Sequence, residues 1–204
     1  MVIVDRYLDD TWDAVLLDNH RAGQLAGEHL LDLGRSRPVC ITGREPGVPV
    51  RIRAEGFAAA LADGGVVLRG EAVREVELTI RDGNEAMSAL LAAQPDLDSV
   101  YCASGPLSMG AYFALQEQGA RDVALVANDD EDWMAIAAPS VTTVRQPTDL
   151  IGKSAANLLR ERIADPTAAP RTILLEPMLI VRDTSTPTTV LRAPSGEERE
   201  ERMA

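Results

Sequence analysis

Residues 13–43 read DAVLLDNHRAGQLAGEHLLDLGRSRPVCITG, and the order of elements in them decides the fold. Ala14 to Leu17 is a short apolar run of strand character. It ends at Asp18-Asn19, whose side-chain oxygens can accept from the free N–H groups of a helix start. Leu25, Ala26, His29, Leu30 and Leu33 then recur at helical spacing. Gly34 follows, the residue that closes a helix in a left-handed turn at least steric cost. Val39 to Thr42 is a second apolar run, closed by Gly43. Strand, helix and strand in immediate succession are the signature of a parallel α/β sheet.

The alternation continues on both sides. Upstream, Val2-Ile3-Val4-Asp5 reads as a strand. Downstream, past Pro46, Gly47 and Pro49, residues Ile52, Phe57, Ala60 and Leu61 mark a helix that Gly64-Gly65 ends. A strand around Ala72 to Val76 precedes a helix carrying Ala86, Met87, Leu90 and Leu91, closed at Pro95. Ser99 to Ala103 is a strand, and Pro106 opens a helix that stops at Gly119. Asp122 to Ala127 runs into the acidic turn Asn128-Asp129-Asp130-Glu131-Asp132, and Val141 to Val144 is a short extended piece. Pro147 opens a helix with Ile151, Ala155, Leu158, Leu159 and Ile163, and Thr172 to Val181 is extended with Pro177 interrupting it. The expected class is α/β, a parallel sheet with helices on both faces. Residues 187–204, rich in Thr, Pro, Ser and then Glu and Arg, are expected to be a disordered tail.

Composition narrows the function. Of the 204 residues 46% are hydrophobic, an ordinary globular share, but only 3% are aromatic, so aliphatic side chains must fill the core. The formal charge of −12 repels a phosphate backbone, which argues against nucleic-acid binding by the chain as it stands. Cys40 and Cys102 lie within apolar runs, as buried thiols do, and make no disulfide framework. Neither a membrane span nor a secretory leader is legible, so a cytoplasmic location is the expectation.

In an open α/β sheet, ligands bind outside the carboxyl ends of the strands. The polar residues that fall there are Asp18, Asn19, Arg44, Arg51, Arg53, Ser104 and Asn128 to Asp132. A guanidinium from Arg53 and a carboxylate from Asp129 converging on one cleft can hydrogen-bond the hydroxyls of a sugar or nucleoside. Equally, Arg53 can form a salt bridge and Asp129 can cap a turn; spacing alone does not choose. The acidic run lacks the spacing and glycine of a calcium loop and reads as a solvated turn. His20 and His29, nine residues apart on one helix, do not have a zinc spacing. Gly105 to Gly110 has the outer spacing of a phosphate loop, but Ala111-Tyr112 follows where Lys and Ser or Thr are required. No nucleotide fingerprint and no catalytic triad is present, so neither a metal, a cofactor nor catalysis is expected.

Taken in order, VIVDR, DAVLLDNHRAGQLAGEHLLDLG, VCITG, RIRAEGFAAAL, DSVYCASGPLSMGAYFALQEQG, DVALVANDD, PSVTTVRQPTDLIGKSAANLL and LEPMLIVRDTST resemble the sensor core of LacI/GalR regulators from Val2 to Thr186. That resemblance implies a type I periplasmic-binding-protein-like fold of two lobes. The C-terminal lobe, residues 18–147 and 178–186, would be complete. The N-terminal lobe, residues 1–17 and 148–177, would be partial. Crossovers would fall near Leu17-Asp18, Val144 to Pro147 and Pro177. The family's ligand-contacting Arg and Asp fall on Arg53 and Asp129. Its frequent aromatic stacking position falls near Leu78, the end of the first crossover on Leu17, and two further cleft positions on Asp5 and Gln146. Where relatives read C-A-N-D, this chain has Cys102-Ala103-Ser104-Gly105, so two cleft-edge groups are changed.

By the same resemblance, relatives carry a helix-turn-helix, a hinge helix and opening βα units ahead of the point where this chain starts. The chain is therefore expected to be a fragment, whether natural, from a mis-called start or cut. The helix from Thr148 onward would then expose Ile151, Leu158, Leu159 and Ile163, forfeiting roughly 6–12 kcal/mol of burial. The expected function is effector sensing: a sugar-like small molecule between the lobes, a homodimer joined around Trp133 and the helix after Asp82, and operator DNA bound only through the missing domain. A stand-alone sugar-binding protein and a Rossmann-type enzyme are the rivals; the first needs a leader sequence and the second a nucleotide fingerprint.

Overall fold

The computed structural model describes residues 1–45, 48–68 and 70–186. The expected tail, 187–204, lies outside the described residues. The elements in chain order are β1 (Val2–Val4), β2 (Asp13–Leu17), α1 (Asn19–Asp32), β3 (Pro38–Gly43), α2 (Pro49–Asp63), β4 (Val73–Val76), α3 (Ile80–Ala93), β5 (Ser99–Cys102) and α4 (Gly105–Glu117). They continue with β6 (Ala124–Asn128), α5 (Asp132–Ile136), β7 (Thr142–Arg145), α6 (Thr148–Ala164), β8 (Thr172–Leu175) and β9 (Met178–Ile180).

Two sheets result. A large one has the order β4-β3-β5-β6-β7-β9, and a small one has the order β1-β2-β8. All pairings are parallel, as expected, except that β9 joins β7 antiparallel at one edge. Glu176 and Pro177 are all that separates β8 in the small sheet from β9, which enters the large sheet from the opposite end. The chain passes between the sheets three times, after Leu17, after Arg145 and after Leu175.

The central strands β3, β5 and β6 of the large sheet are buried on both faces, and most of their residues are apolar. Val39 and Ile41 of β3, Val100 and Cys102 of β5 and Leu125 and Ala127 of β6 point to one side, against α3 and α4. Cys40, Tyr101, Ala124 and Val126 point to the other, where Ala22, Leu30, Phe57 and Leu61 of α1 and α2 cover them. Such continuous apolar runs are what a sheet sandwiched between helices requires. Burial pushes the Cys40 thiol up to about 12, as expected for a cysteine used as a small hydrophobe.

The small sheet rests on α6. Arg162 of α6 reaches the buried Asp13 of β2 with Nε–Oδ2 at 2.8 Å and Nη2–Oδ1 at 3.1 Å, a two-pronged ion pair. Leu158 is buried, contrary to the expectation that it would be exposed; Leu159 and Ile163 are exposed as expected, and Ile151 is half-buried. The acidic run Asp129–Asp132, read as a solvated turn, is exposed at Glu131 and Asp132, and Asp132 opens the short helix α5, which buries Met134.

Helices α1 and α2 touch backbone to backbone. A Cβ added at Gly23 would lie 1.8 Å from the Arg53 carbonyl oxygen, and one at Gly56 would lie 2.0 Å from that of His20. Gly23→Ala and Gly56→Ala should each cost about 1–3 kcal/mol in urea unfolding, the usual penalty of forced overpacking. Gly152 of α6 faces open space, and Gly152→Ala should instead raise stability by about 0.5–1 kcal/mol. A neutral outcome at both Gly23 and Gly56 would show that the two helices are not held at this distance.

Candidate functional site

The carboxyl ends of β3, β4 and β6 face the end of β1 across a cleft of about 450 Å³. Asp5 and Arg6 come from the small sheet; Arg53, Leu78, Asp129 and Gln146 come from the large sheet and its crossover.

Arg53 sits on the first turns of α2 and is only 3% exposed. Its Nε donates to Asn19 Oδ1 at 2.8 Å, and its Nη1 donates to the Ala103 carbonyl at 2.9 Å. Asn19 is itself held, its Nδ2 donating to the Leu17 carbonyl at 3.2 Å. Among the described residues no carboxylate pairs with Arg53. The salt-bridge alternative therefore does not apply: dipoles hold the guanidinium, and part of its five-donor fork remains for the cleft.

Asp129 follows β6 with φ of +70°. Its Oδ2 accepts from the Gly105 N–H at the start of α4 at 3.2 Å, and its Oδ1 accepts from Asn128 Nδ2 at 2.9 Å and from Gln146 Nε2. Its own carbonyl accepts from Thr143 Oγ1. The capping alternative is thus part of the answer, since Asp129 does meet a helix N-terminus while also lining the cleft. Behind it, Tyr101 donates its hydroxyl to Asn128 Oδ1 at 3.2 Å, deep in the core.

Asp5 has φ of +63°. Asp5 and Asp129 are the two non-glycine residues with positive φ among the described residues, and both line this cleft. Aspartate tolerates the left-handed region better than most residues, yet the conformation still has a cost, and such strain concentrates at functional sites. Loss of water pushes the Asp5 carboxyl above its ordinary range; the Arg53 charge pulls it back in part, and Asp129 adds to the upward push.

The remaining expectations divide. Leu78 lines the cleft, 45% exposed, and packs over Gly43, where an added Cβ would lie 3.1 Å from it. Gln146 is in the cleft, bound to Asp129. Leu17 lies elsewhere: it is buried and lines an adjoining chamber. Ser104 is also outside the cleft, because it turns inward ahead of α4, with its Oγ buried and without a hydrogen-bond partner among the described residues. Asn19, among the polar residues expected at the strand ends, holds Arg53 from behind, whereas Arg6 and Glu77 line the cleft without having been expected there. The carboxyl-end rule reaches Glu77, one residue past β4, but nothing in the sequence marks Arg6.

Residues 28–185 match the family described as the periplasmic binding protein-like domain. The regulator CelR of Thermobifida fusca is 35% identical over 170 residues, which are 82% of this chain and 50% of CelR. The structure is similar to that of a CelR–cellobiose complex, with a TM-score of 0.83 and 33% identity over 90% of this chain and 58% of that one. It is also similar to a LacI-family regulator from Sanguibacter keddieii, with a TM-score of 0.84, 32% identity, and 90% and 73% of the two chains covered. A ribose-bound LacI-family regulator from Enterococcus faecium gives a TM-score of 0.81 at 26% identity, with 91% and 70% covered. The chain spans about half the length of the curated relatives it matches.

A carboxyl with a raised folded pKa holds its proton more tightly in the folded chain than in the unfolded one. Its contribution to stability therefore falls as pH climbs through that pKa. Asp5→Asn should be more stable than the parent at pH 7, and the difference should vanish below about pH 3, where the carboxyl is protonated in both states. Thermal unfolding across that range checks it; a variant less stable at pH 7 would mean that the attraction to Arg53 outweighs the lost hydration.

Proposed function

This chain belongs to the periplasmic binding protein-like family, in the branch that LacI-type regulators use as their sensor, and on that premise we propose that it binds a sugar-like effector in the cleft between its two sheets. The observation that carries the reading is the convergence of Asp5, from the small sheet, with Arg53, Asp129 and Gln146, from the large sheet and its crossover. Arg53 is the donor, a fork whose buried end is fixed by Asn19 and Ala103. Asp129 and Asp5 are acceptors, so adjacent hydroxyls can donate to carboxylates while accepting from the guanidinium. Leu78 and Val76 supply aliphatic surface for the C–H face of a ring. CelR with cellobiose and the Enterococcus regulator with ribose support a saccharide as the class of ligand.

An effector that touches both sheets stabilises the arrangement in which they face each other, which makes the cleft a sensor rather than a store. In the whole regulator this preference would be coupled to operator binding through a homodimer acting in the cytoplasm. The dimer has a natural surface where Phe113 and Ile136, both exposed, flank the edge-to-face pair of Tyr112 and Trp133 at 5.5 Å. None of these roles requires catalysis, and no cofactor is assigned. Among the described residues no helix is long and apolar enough to cross a membrane.

Isothermal titration with a panel of sugars and nucleosides tests the proposal. Hydrogen bonds to a charged partner contribute about 1.5–3 kcal/mol. Arg53→Gln and Asp129→Asn should therefore each weaken the binding ligand roughly 10- to 100-fold. A folded chain that binds only a nicotinamide cofactor, or a ligand indifferent to both substitutions, would sink it.

A further inference from the structure

Hydrogen bonds run in series from the cleft to the small sheet. Arg53 Nε donates to Asn19 Oδ1 at 2.8 Å, and Asn19 Nδ2 donates to the Leu17 carbonyl at 3.2 Å. That carbonyl and the Asp18 N–H belong to one planar peptide unit. The Asp18 N–H donates in turn to the Leu175 carbonyl at 2.8 Å. Leu17 and Leu175 are the last paired residues of β2 and β8. The series therefore starts at the guanidinium that faces the cleft, passes the first crossover and ends where the third begins. Every donor points the same way, the arrangement in which hydrogen bonds polarise one another.

Asparagine suits the central place because its amide accepts on one side and donates on the other. Aspartate has the same shape and can accept from Arg53, but it has no N–H for Leu17. Asn19 is only 8% exposed, so water is a poor substitute for either link. Its position is fixed: Asp18 caps α1 by accepting from the Arg21 N–H at 2.8 Å, and Gly23 and Gly56 let α1 lie directly against α2, which carries Arg53. Asn19 does not line the cleft that Arg53 lines. Resting on the reading of Arg53 as a ligand contact, we propose that Asn19 is a positioning residue that couples Arg53 to the last rung of the small sheet. A hydroxyl that holds the guanidinium in place steadies the Leu17–Asp18 peptide and, through it, the crossover. A guanidinium that shifts lets the same peptide turn and loosens the rung. Coupling of this kind is established by showing that a change at one end is felt at the other.

Hydrogen exchange of the full chain, followed by NMR, tests this without any sugar. Arg53→Met, of similar length but with no donor, and Asn19→Ala should each speed exchange of the Asp18 amide roughly tenfold or more, while the amides of β5 and β6 stay within about twofold of the parent. Asn19→Asp separates the two links. In it the Arg53 Nε–H should stay as protected as in the parent, and the Asp18 amide should exchange as fast as in Asn19→Ala. An Asp18 amide indifferent to Arg53→Met, or still slow in Asn19→Asp, would overturn the relay. Equal acceleration in β5 and β6 would overturn it too, since that marks a general loosening. Cellobiose and ribose then probe occupancy. Whichever binds should slow the Asp18 amide roughly tenfold or more in the parent and less than about twofold in Asn19→Ala; equal slowing in both would defeat the coupling. The first comparison needs no ligand, so a chain that binds neither sugar counts against the saccharide reading alone.

Discussion

A buried guanidinium has to be satisfied where it stands, and much of the geometry around the cleft follows from how Arg53 is held. Taking a cation out of water costs several kcal/mol unless hydrogen bonds replace the lost solvent. Asn19 and the Ala103 carbonyl supply two of them, and Asn19 is fixed in turn by the Leu17 carbonyl. One side chain thereby ties the last strand position before the first crossover, the first turn of α1, the body of α2 and the end of β5. The contact demands that α1 and α2 lie closer than side chains allow, and Gly23 and Gly56 meet that demand by having none. Opposite Arg53, the two aspartates bend the backbone into the left-handed region to reach the same space.

The large sheet was the legible part of the fold. Its central strands β3, β5 and β6 are short, mostly apolar runs, α1 and α3 begin at the cap residues Asp18 and Thr79, and both signals are local. The separation into two sheets was not legible from periodicity. β2 and β3 flank the same helix yet belong to different sheets, and the strand that pairs with β2 on its far side, β8, comes from the other end of the chain. Pro177 reads as an interruption, but only the partner strand reveals that the chain reverses there. The acidic run 129–132 shows a similar limit: locally it reads as a solvated turn, whereas its Asp130 is held by Arg182, 52 residues further along.

The site was readable to the extent that position on a strand fixes direction. Asp129 and Glu77 lie at carboxyl ends, where the rule for open sheets looks, and Arg53 follows β3 on the first turns of α2. Ser104 lies at such an end too and still points inward, because the backbone ahead of α4 turns its Oγ into the protein. Leu17 differs for another reason: burial at the end of β2 places it in the adjoining chamber rather than the cleft. Asp5 and Gln146 came from resemblance alone. Arg6 became visible only with the end of β1 folded over the large sheet.

The three passages between the sheets, after Leu17, Arg145 and Leu175, also restrict what the molecule can report. A single strap would let two rigid bodies slide, twist and tumble against each other. Three straps side by side restrain sliding and twisting, so that, if the cleft works as proposed, an opening angle is the motion they oppose least. Occupants of different size and shape would then be translated into values of a single scalar.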